Sequence, residues 1–359
     1  MIFYLLLFII ISVLIVCKSN NGVIISFLLL TFLYGLRNDG GVDDFNYISN
    51  FNDVINNISL PRREVTFAFF AKTINAIGMN YKGLFMLYAA ISFYFLYQCY
   101  KQLCENKRDW LIAIIGFLCF SFIETITIMR QFAAAAIVCY ALSIFYNDKS
   151  MKPFLLVVIA ALFHLPAIIT LLFMPILKIK YSGFIKALLP ILCLFIGYSG
   201  LLNVIINLLS FLIPKGYEVY LQTHTTPRVG TLNTLLFIIF VVSLLMPKVQ
   251  EINYYKRGIF VYAHSNSFYI ENLITVYFCI YFIALSSHWL TRFASYYRLF
   301  LPFILIGFIN KAQVYFDRKL LNRTVFIAQT ALYVYVIVGI QFGMNTALIP
   351  YKASLNFFR

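Results

Sequence analysis

Ionisable side chains are rare in this chain, and several of those that interrupt its apolar runs are arginines. Only 11% of the residues are charged, against a hydrophobic share of 62%. An arginine at membrane depth costs roughly 2.5–3.5 kcal/mol on insertion scales, so it usually faces a cavity or a partner. Guanidinium groups bind phosphate oxygens in bidentate fashion, and a buried diphosphate needs two or more of them. The arginines assigned to such a set are Arg37, Arg130, Arg292 and Arg298.

The alternative for each arginine is that it snorkels from a helix end to the membrane surface. This alternative suits Arg298 best. It suits Arg130 least, because the segment "IMRQFAAAAIVC" places that residue before a run of small side chains that let a neighbouring helix approach closely. The arginines therefore predict a site for one anionic ligand.

Carboxylates and a histidine form the second group of candidates. They can bind a metal, act as a general base or hydrogen-bond to sugar hydroxyls. Asp43 lies four residues before Tyr47 in "GVDDFNY", so the two share a face if this stretch is helical. The alternative for "DD" is a helix N-cap in a solvated loop, which is the environment expected for Asp44. Glu64 is a further candidate.

His164 lies inside the apolar run "AALFHLPA". One interpretation is a core histidine whose hydrogen bonds are satisfied. The other is a ligand or proton-transfer role, because the proline that follows breaks the helix and irregular backbone at membrane depth lines a cavity. Both interpretations are compatible with the sequence.

Composition determines the class of protein that must position these residues. The mean hydropathy is +0.86, and apolar runs near 20 residues recur from end to end. These runs predict an all-α, polytopic membrane protein, since a β-barrel would show segments of about 10 residues with alternating polarity. The net charge of +15 does not indicate nucleic acid, because the cations fall in short loops where they set orientation. Seven cysteines without a C-x-x-C pair indicate neither disulfides nor a metal site.

The runs predict a single integral-membrane domain over residues 1–359, a transmembrane helical bundle of about 10–12 spans. Basic loops mark the cytoplasmic side, so polar loops at about 37–62 and 214–229 lie outside. Residues 63–80 predict an interfacial or re-entrant helix, and "FHLPA" at 163–167 predicts a helix that enters and returns. The predicted spans are 2–17, 22–36, 82–100, 110–124, 130–147, 153–177, 187–210, 230–247, 271–288, 298–311 and 324–342.

Four motifs, in this order, resemble those of the EpsG/Wzy-like family of membrane polysaccharide polymerases. They are "GLR" with "GVDDFNY", Glu64 at the start of an amphipathic helix, "MRQFAAAAI" and "IAALFHLPAII". Order and spacing agree from about residue 31 to 175, the motif-bearing half of the chain. Beyond it the resemblance rests on hydropathy, on an Arg-x-x-x-Tyr-Tyr pattern at 292–297 and on the tail "IPYK". The chain departs from the family pattern in having Val42 and Asp44 on either side of Asp43.

The resemblance implies a glycosyltransferase, of GT-C-like architecture, in the bacterial inner membrane. It would join oligosaccharide repeats carried on undecaprenyl diphosphate into O-antigen or a similar surface polysaccharide, with its active site facing the periplasm. Donor and acceptor are both lipid-linked, so the expected partners are these substrates, membrane lipid and a chain-length regulator protein. No cofactor, metal or nucleic acid is expected.

The resemblance also implies roles for the candidate residues, since a diphosphate leaving group needs fixed positive charge. Arg37, Arg130, Arg292 and Arg298 would hold the diphosphate; Asp43, Glu64 and His164 would act as acid, base or acceptor-orienting groups; Tyr47, Gln131 and Tyr296 would orient the glycan. Three other functions stay open. They are a glycan ligase, an acyltransferase and a flippase for the same lipid-linked repeat.

Overall fold

The computed structural model describes residues 2–38, 43–58, 65–148, 150–201, 229–246, 267–285, 290–342 and 352–358. These residues are predominantly helical. The β-type pairing among them consists of two isolated bridges, Arg37 with Ala353 and Met79 with Phe358. The all-α class is confirmed for the described part of the chain, and the GT-C-like architecture stays a prediction.

The chain divides into two compact units. Unit 1 is Met1–Thr170 with Phe326–Arg359, and unit 2 is Leu171–Val325. The helices are α1 (Ile2–Gly35), α2 (Asp44–Ile55), α3 (Val65–Ala76), α4 (Tyr81–Leu103), α5 (Lys107–Phe120), α6 (Phe122–Thr127), α7 (Met129–Phe145), α8 (Lys152–Phe163), a 3-10 helix (Leu165–Ile169), α9 (Thr170–Leu177), α10 (Gly183–Ser199), α11 (Thr231–Leu245), α12 (Ser267–Ile283), α13 (Thr291–Arg298), α14 (Pro302–Ala312) and α15 (Arg318–Phe342).

The core of unit 1 is the packing of α4 against α1 and α7, with α8 on α7. Small side chains explain the close approach, because the run Ala133–Ala136 on α7 is buried and adds little bulk between helix axes. Rings fill the rest: Phe132 packs edge-on to Phe93 at 5.4 Å between centroids and stacks on Phe117 at 6.0 Å. These contacts fix the start of α7 against the middle of α4.

The core of unit 2 is α10 packed against α12 and α11 against α14. At Gly197 of α10 a side chain would collide with the carbonyl of Phe282, so glycine permits this backbone contact. Asn272 of α12 donates from Nδ2 to the carbonyls of Leu177 and Ile179, each at 2.8 Å. It thereby satisfies carbonyl groups at the end of α9 that have no partner within the helix.

Two of the described helices are long and apolar enough to cross a membrane by themselves, Tyr81–Leu103 and Arg318–Gly339. A third span results if Thr291–Arg298 and Pro302–Ala312, bent by 52°, count as one. Several apolar helices of 10–17 residues accompany them, which agrees with a membrane protein. The larger number of about 10–12 spans stays a prediction.

The structure differs from the predicted boundaries in one place and agrees in another. A single helix, α1, covers both predicted spans 2–17 and 22–36 and the polar residues between them. Asn and Gly in that stretch weaken a helix without breaking it, whereas proline would remove a hydrogen bond. The break predicted at 163–167 is confirmed, since α8 ends at Phe163 and a 3-10 helix follows. Whether that segment re-enters the membrane stays a prediction.

Candidate functional site

Arg37 follows the end of α1, and its side chain lies inside unit 1. Its Nη2 donates to Asp44 Oδ1 at 2.9 Å and its Nε to Oδ2 at 3.1 Å, and both side chains are only 2% exposed. Its Nη1 donates to the Tyr34 carbonyl at 2.8 Å. The guanidinium also lies 4.7 Å from the ring centroid of Tyr34 and 4.5 Å from that of Phe85. The cation is thus neutralised by a bidentate carboxylate and enclosed by two rings.

The burial of Asp44 corrects the expectation that it belongs to a solvated loop. A buried guanidinium is costly without a carboxylate, and Asp44 is the first residue of α2, where it reaches back to Arg37. The sequence contains the signal, since an arginine followed seven positions later by "DD" permits this pair. Arg37 was predicted to bind diphosphate. Because its guanidinium is already paired with the Asp44 carboxylate, direct binding of diphosphate by Arg37 stays a prediction.

The end of the chain lies beside this ion pair. The Asn38 amide donates to the Lys352 carbonyl at 2.9 Å, and the Ser354 amide donates to the Leu36 carbonyl at 3.0 Å. Backbone pairing with the tail therefore holds the segment around Arg37 in place. Only Lys352 of the predicted tail motif "IPYK" belongs to the described residues.

Arg130, in the first turn of α7, faces two aromatic rings. Its Cζ lies 5.5 Å from the ring centroids of both Tyr47 and Phe67, which are themselves 6.4 Å apart. Tyr47 is buried, whereas Arg130 is half-buried. The guanidinium is stabilised by the faces of the two rings, and it also hydrogen-bonds to the Tyr47 side chain.

The position of Arg130 follows from a break between two helices. α6 ends at Thr127, and Ile128 leaves helical geometry with φ −115° and ψ 55° before α7 begins. The first amides of a helix have no intrahelical acceptors and carry partial positive charge. The guanidinium of Arg130 adds to that positive charge. Gln131 is buried in the same turn and has an uncharged amide side chain that can form hydrogen bonds.

Tyr47 and Asp43 share the first turn of α2, as their spacing predicted. The Tyr47 amide donates to the Asp43 carbonyl at 3.0 Å. Burial raises the pKa of Tyr47, the nearby Arg130 cation opposes that rise, and Asp43 adds to it. The phenol therefore stays neutral at physiological pH and can donate a hydrogen bond. Asp43 occupies the N-cap position, but its carboxylate makes no cap hydrogen bond.

His164 lies in the break between α8 and the 3-10 helix. Its backbone is extended, with φ −153° and ψ 106°, and the side chain is half-buried. Its amide donates to the Ala160 carbonyl at 3.0 Å, and its carbonyl accepts from the Ala167 amide at 2.9 Å. Both backbone groups are thus satisfied although the residue is not helical, which fixes the point where the histidine leaves the helix.

Helix α3 connects the Arg130 site with the His164 segment. Its Phe67 lies against the Arg130 guanidinium, while the Thr66 hydroxyl donates to the Leu162 carbonyl at 2.8 Å. Phe70 packs on Phe163 with ring centroids 5.9 Å apart. Motif residues from separate parts of the sequence are therefore brought together around one helix. Glu64, the residue before α3, lies outside the described residues.

Two aromatic residues of this site, Phe67 and Phe85, were not predicted from the sequence. Phe67 and Phe85 hold the two guanidinium groups, yet a phenylalanine in an apolar helix is ordinarily read as core packing. Their spacing carries no signal that separates the two roles, in a chain with 38 phenylalanines. Within the described ranges, no group of three or more His, Cys, Asp and Glu side chains is placed to hold a metal ion.

The remaining predicted residues lie on α13 in unit 2. Arg292 is exposed, Arg298 is half-buried and Tyr296 is fully buried. The neighbouring Tyr297 packs edge-on against Phe173 with centroids 6.1 Å apart. α13 thus presents one arginine to the surroundings and holds the tyrosines in the core. Joint binding of diphosphate by these residues and those of unit 1 stays a prediction.

Comparison with known protein families gives one result that covers nearly the whole chain. The model of the EpsG family matches residues 20–353. No curated protein and no solved structure gave a match. The matched range contains the motifs at 35–47, 129–137 and 159–169, and it extends through unit 2, where sequence motifs were sparse. The chain belongs to the EpsG family, as its motifs indicated.

Proposed function

We propose that the protein is a membrane glycosyltransferase that polymerises oligosaccharide repeats carried on undecaprenyl diphosphate. Membership of the EpsG family supports a membrane polysaccharide polymerase-type function. The observation that carries the proposal is the contact of Arg130 with Tyr47 and Phe67 in unit 1. Phe67 lies on α3, the helix that also contacts the His164 segment.

In the proposed reaction, a hydroxyl of the acceptor repeat attacks the anomeric carbon of the donor glycan. The bond between that carbon and the diphosphate oxygen breaks, and the lipid diphosphate leaves with the electron pair. Arg130 and the amide groups at the start of α7 stabilise the negative charge that develops on the leaving group. The proton of the attacking hydroxyl passes to a base, for which Asp43, Glu64 and His164 are the candidates.

The neutral Tyr47 phenol and the Gln131 amide orient the glycan by hydrogen bonding in this proposal. The product is O-antigen or a similar surface polysaccharide, made at the periplasmic face of the inner membrane. Charge distribution supports that orientation, because the basic loops identify the opposite side as cytoplasmic. Membrane lipid and a chain-length regulator are the proposed further partners.

Replacement of Arg130 by alanine tests the proposal. Purified wild-type protein, given only lipid-linked repeats from cells that lack the protein, should extend them to a ladder on a gel. Arg130→Ala should slow extension about 100-fold or more, because one preorganised donor at a developing charge has that effect. Arg323→Ala, at an exposed site on α15, is the matched control and should extend the repeats normally.

The same assay separates the other functions. A well-folded Arg130→Ala protein that builds a normal ladder would remove the role given to Arg130. Wild-type protein that leaves the repeats unextended, but transfers glycan once a different acceptor is added, would be a ligase. Dependence on an acyl donor with no change in glycan length would identify an acyltransferase, and movement of repeats across vesicles without bond formation would identify a flippase.

A further inference from the structure

Lys82 is a buried cation in the first turn of α4. The residue is only 5% exposed, although its helix begins next to a loop. Asn80 caps that helix by accepting a hydrogen bond from the Lys82 amide at 3.0 Å. The start of α4 therefore places a largely buried lysine in a capped first turn, where the amides of Lys82 and Gly83 both donate to Asn80.

The charge of Lys82 has no anion beside it in the described part of unit 1. The interaction of its ammonium there is with the ring of Tyr81, with Nζ 5.9 Å from the centroid. The other buried cations of the described residues differ, because Arg37 is paired with Asp44 and Lys186 with Glu271. Of these three buried residues, Lys82 is thus the one whose cation has no carboxylate partner among the described residues.

Lys82 lies close to the candidate site. Phe85, three residues further along the same helix face, contacts the Arg37 guanidinium, and its ring centroid is 6.4 Å from that of Tyr47. Tyr81 packs on Phe85 at 5.6 Å. Tyr47 in turn contacts Arg130. A short chain of ring contacts therefore connects the two cations.

We propose that Lys82 supplies a second positive charge for the diphosphate, a role that the arginine pattern assigned to Arg37. Because Arg37 already holds the Asp44 carboxylate in bidentate fashion, its charge is neutralised before any ligand binds. A diphosphate needs at least two cations, and in this proposal Lys82 and Arg130 are the two that bind it. The inference rests on the proposed function for the identity of the anion as the diphosphate of a lipid-linked substrate.

Binding of inorganic pyrophosphate to the purified protein, measured by calorimetry with EDTA present, tests the inference directly. Lys82→Met should weaken binding about tenfold or more, because a charge-assisted hydrogen bond is lost. Lys82→Arg should bind within a few fold of wild type. Lys101→Met, exposed in the last turn of the same helix, is the matched control and should bind unchanged. Wild-type affinity in Lys82→Met would overturn the inference.

A second arm uses farnesyl diphosphate to distinguish a lipid-linked ligand from a free one. Tighter binding than pyrophosphate, with the same loss in Lys82→Met, is expected for a lipid diphosphate site. If wild-type protein extends lipid-linked repeats but Lys82→Met binds both probes normally, the inference fails alone. If Lys82→Met loses pyrophosphate binding but wild-type protein extends nothing, the proposed function fails and the anion site stands.

The melting temperature of Lys82→Met separates a binding role of Lys82 from a structural role, because replacement of a structural lysine would lower it. Lys82→Met keeps a side chain of similar length and breaks no carboxylate contact of the described residues, so its melting temperature should equal or exceed that of wild type while diphosphate binding falls. Should the variant fail to fold, reductive methylation of wild-type protein provides the test. Pyrophosphate should slow methylation of Lys82 about tenfold or more and leave Lys101 unaffected. Equal methylation of Lys82 with and without pyrophosphate, or none at all, would contradict the inference.

Discussion

Each unit of the protein holds a cluster of opposite charges, and the two clusters differ in how many cations contact one carboxylate. In unit 1, one guanidinium meets one carboxylate, Arg37 with Asp44, and the pair is neutral. In unit 2, the Glu271 carboxylate accepts from Lys186 Nζ at 2.7 Å and from Lys311 Nζ at 2.8 Å, so two lysines of the described residues share one carboxylate. The burial of a charged side chain therefore does not by itself indicate its role, which depends on its partners.

The surroundings of the two clusters explain the difference. The unit 2 network connects four helices, because Lys186 also donates to the Phe268 carbonyl at 3.2 Å and Lys311 to the Ser243 carbonyl at 2.8 Å. Each ammonium thus has backbone as well as carboxylate partners. The Arg37 pair instead connects the ends of α1 and α2 next to Tyr47 and Phe85. We expect the unit 2 network to act on stability, and the Arg37 pair to act on stability and on the geometry of the site.

Glu271→Gln should have the largest effect on stability. It leaves the buried Lys186 ammonium and the half-buried Lys311 ammonium without the carboxylate they share, and we expect a loss of about 4 kcal/mol in the free energy of unfolding. Chemical denaturation of the protein in detergent measures this loss. Lys311→Met is the control, because it leaves the Lys186–Glu271 pair intact and should cost clearly less. Equal losses in the two variants would contradict the central role given to the carboxylate.

Asp44→Asn should have the next largest effect, about 3–4 kcal/mol, because it strands the Arg37 guanidinium in an apolar site. The double variant Arg37→Met, Asp44→Leu removes both charges and should recover most of that stability. Unfolding of the three proteins under identical conditions provides the comparison.

Activity of the same double variant identifies the role of Arg37. If Arg37 only positions α2, the stable double variant should extend lipid-linked repeats at a rate within about tenfold of wild type, since each kcal/mol of altered geometry changes the rate several fold. A double variant that is stable but inactive would instead favour the prediction that Arg37 contacts the diphosphate.

Tyr47→Phe should have the smallest effect. The ring beside Arg130 is kept, so extension should fall by about tenfold at most, the value of one neutral hydrogen bond. Tyr47→Leu removes the cation–π contact as well and should lose more. Because burial raises the pKa of Tyr47, the phenol stays protonated, and wild type and Tyr47→Phe should show the same pH profile between about pH 6 and 9. A basic limb present only in wild type would contradict this assignment.

The helical elements could be predicted from the sequence with fair accuracy, since apolar periodicity and helix breakers act locally. The span 82–100 corresponds to α4, and the break at "FHLPA" lies where α8 ends. The two predicted spans 2–17 and 22–36 correspond to the apolar stretches Ile2–Cys17 and Asn21–Gly35, but α1 continues through the residues between them, because weak helix formers do not by themselves create a loop. The geometry of the site could not be predicted as well from the sequence, because Phe85 beside Arg37 and Phe67 beside Arg130 have the sequence pattern of ordinary core residues.

By itself the sequence determined the class of the protein, its family motifs and the short inventory of groups able to handle an anion. Those properties depend on composition and on local order along the chain. Only the tertiary structure decided which charges are already neutralised: Asp44 turned inward to Arg37, Glu271 joined two lysines, and Lys82 was left against a ring. The physical reason is that the cost of a buried charge depends on the counter-charge brought to it, and folding supplies that partner from distant parts of the chain.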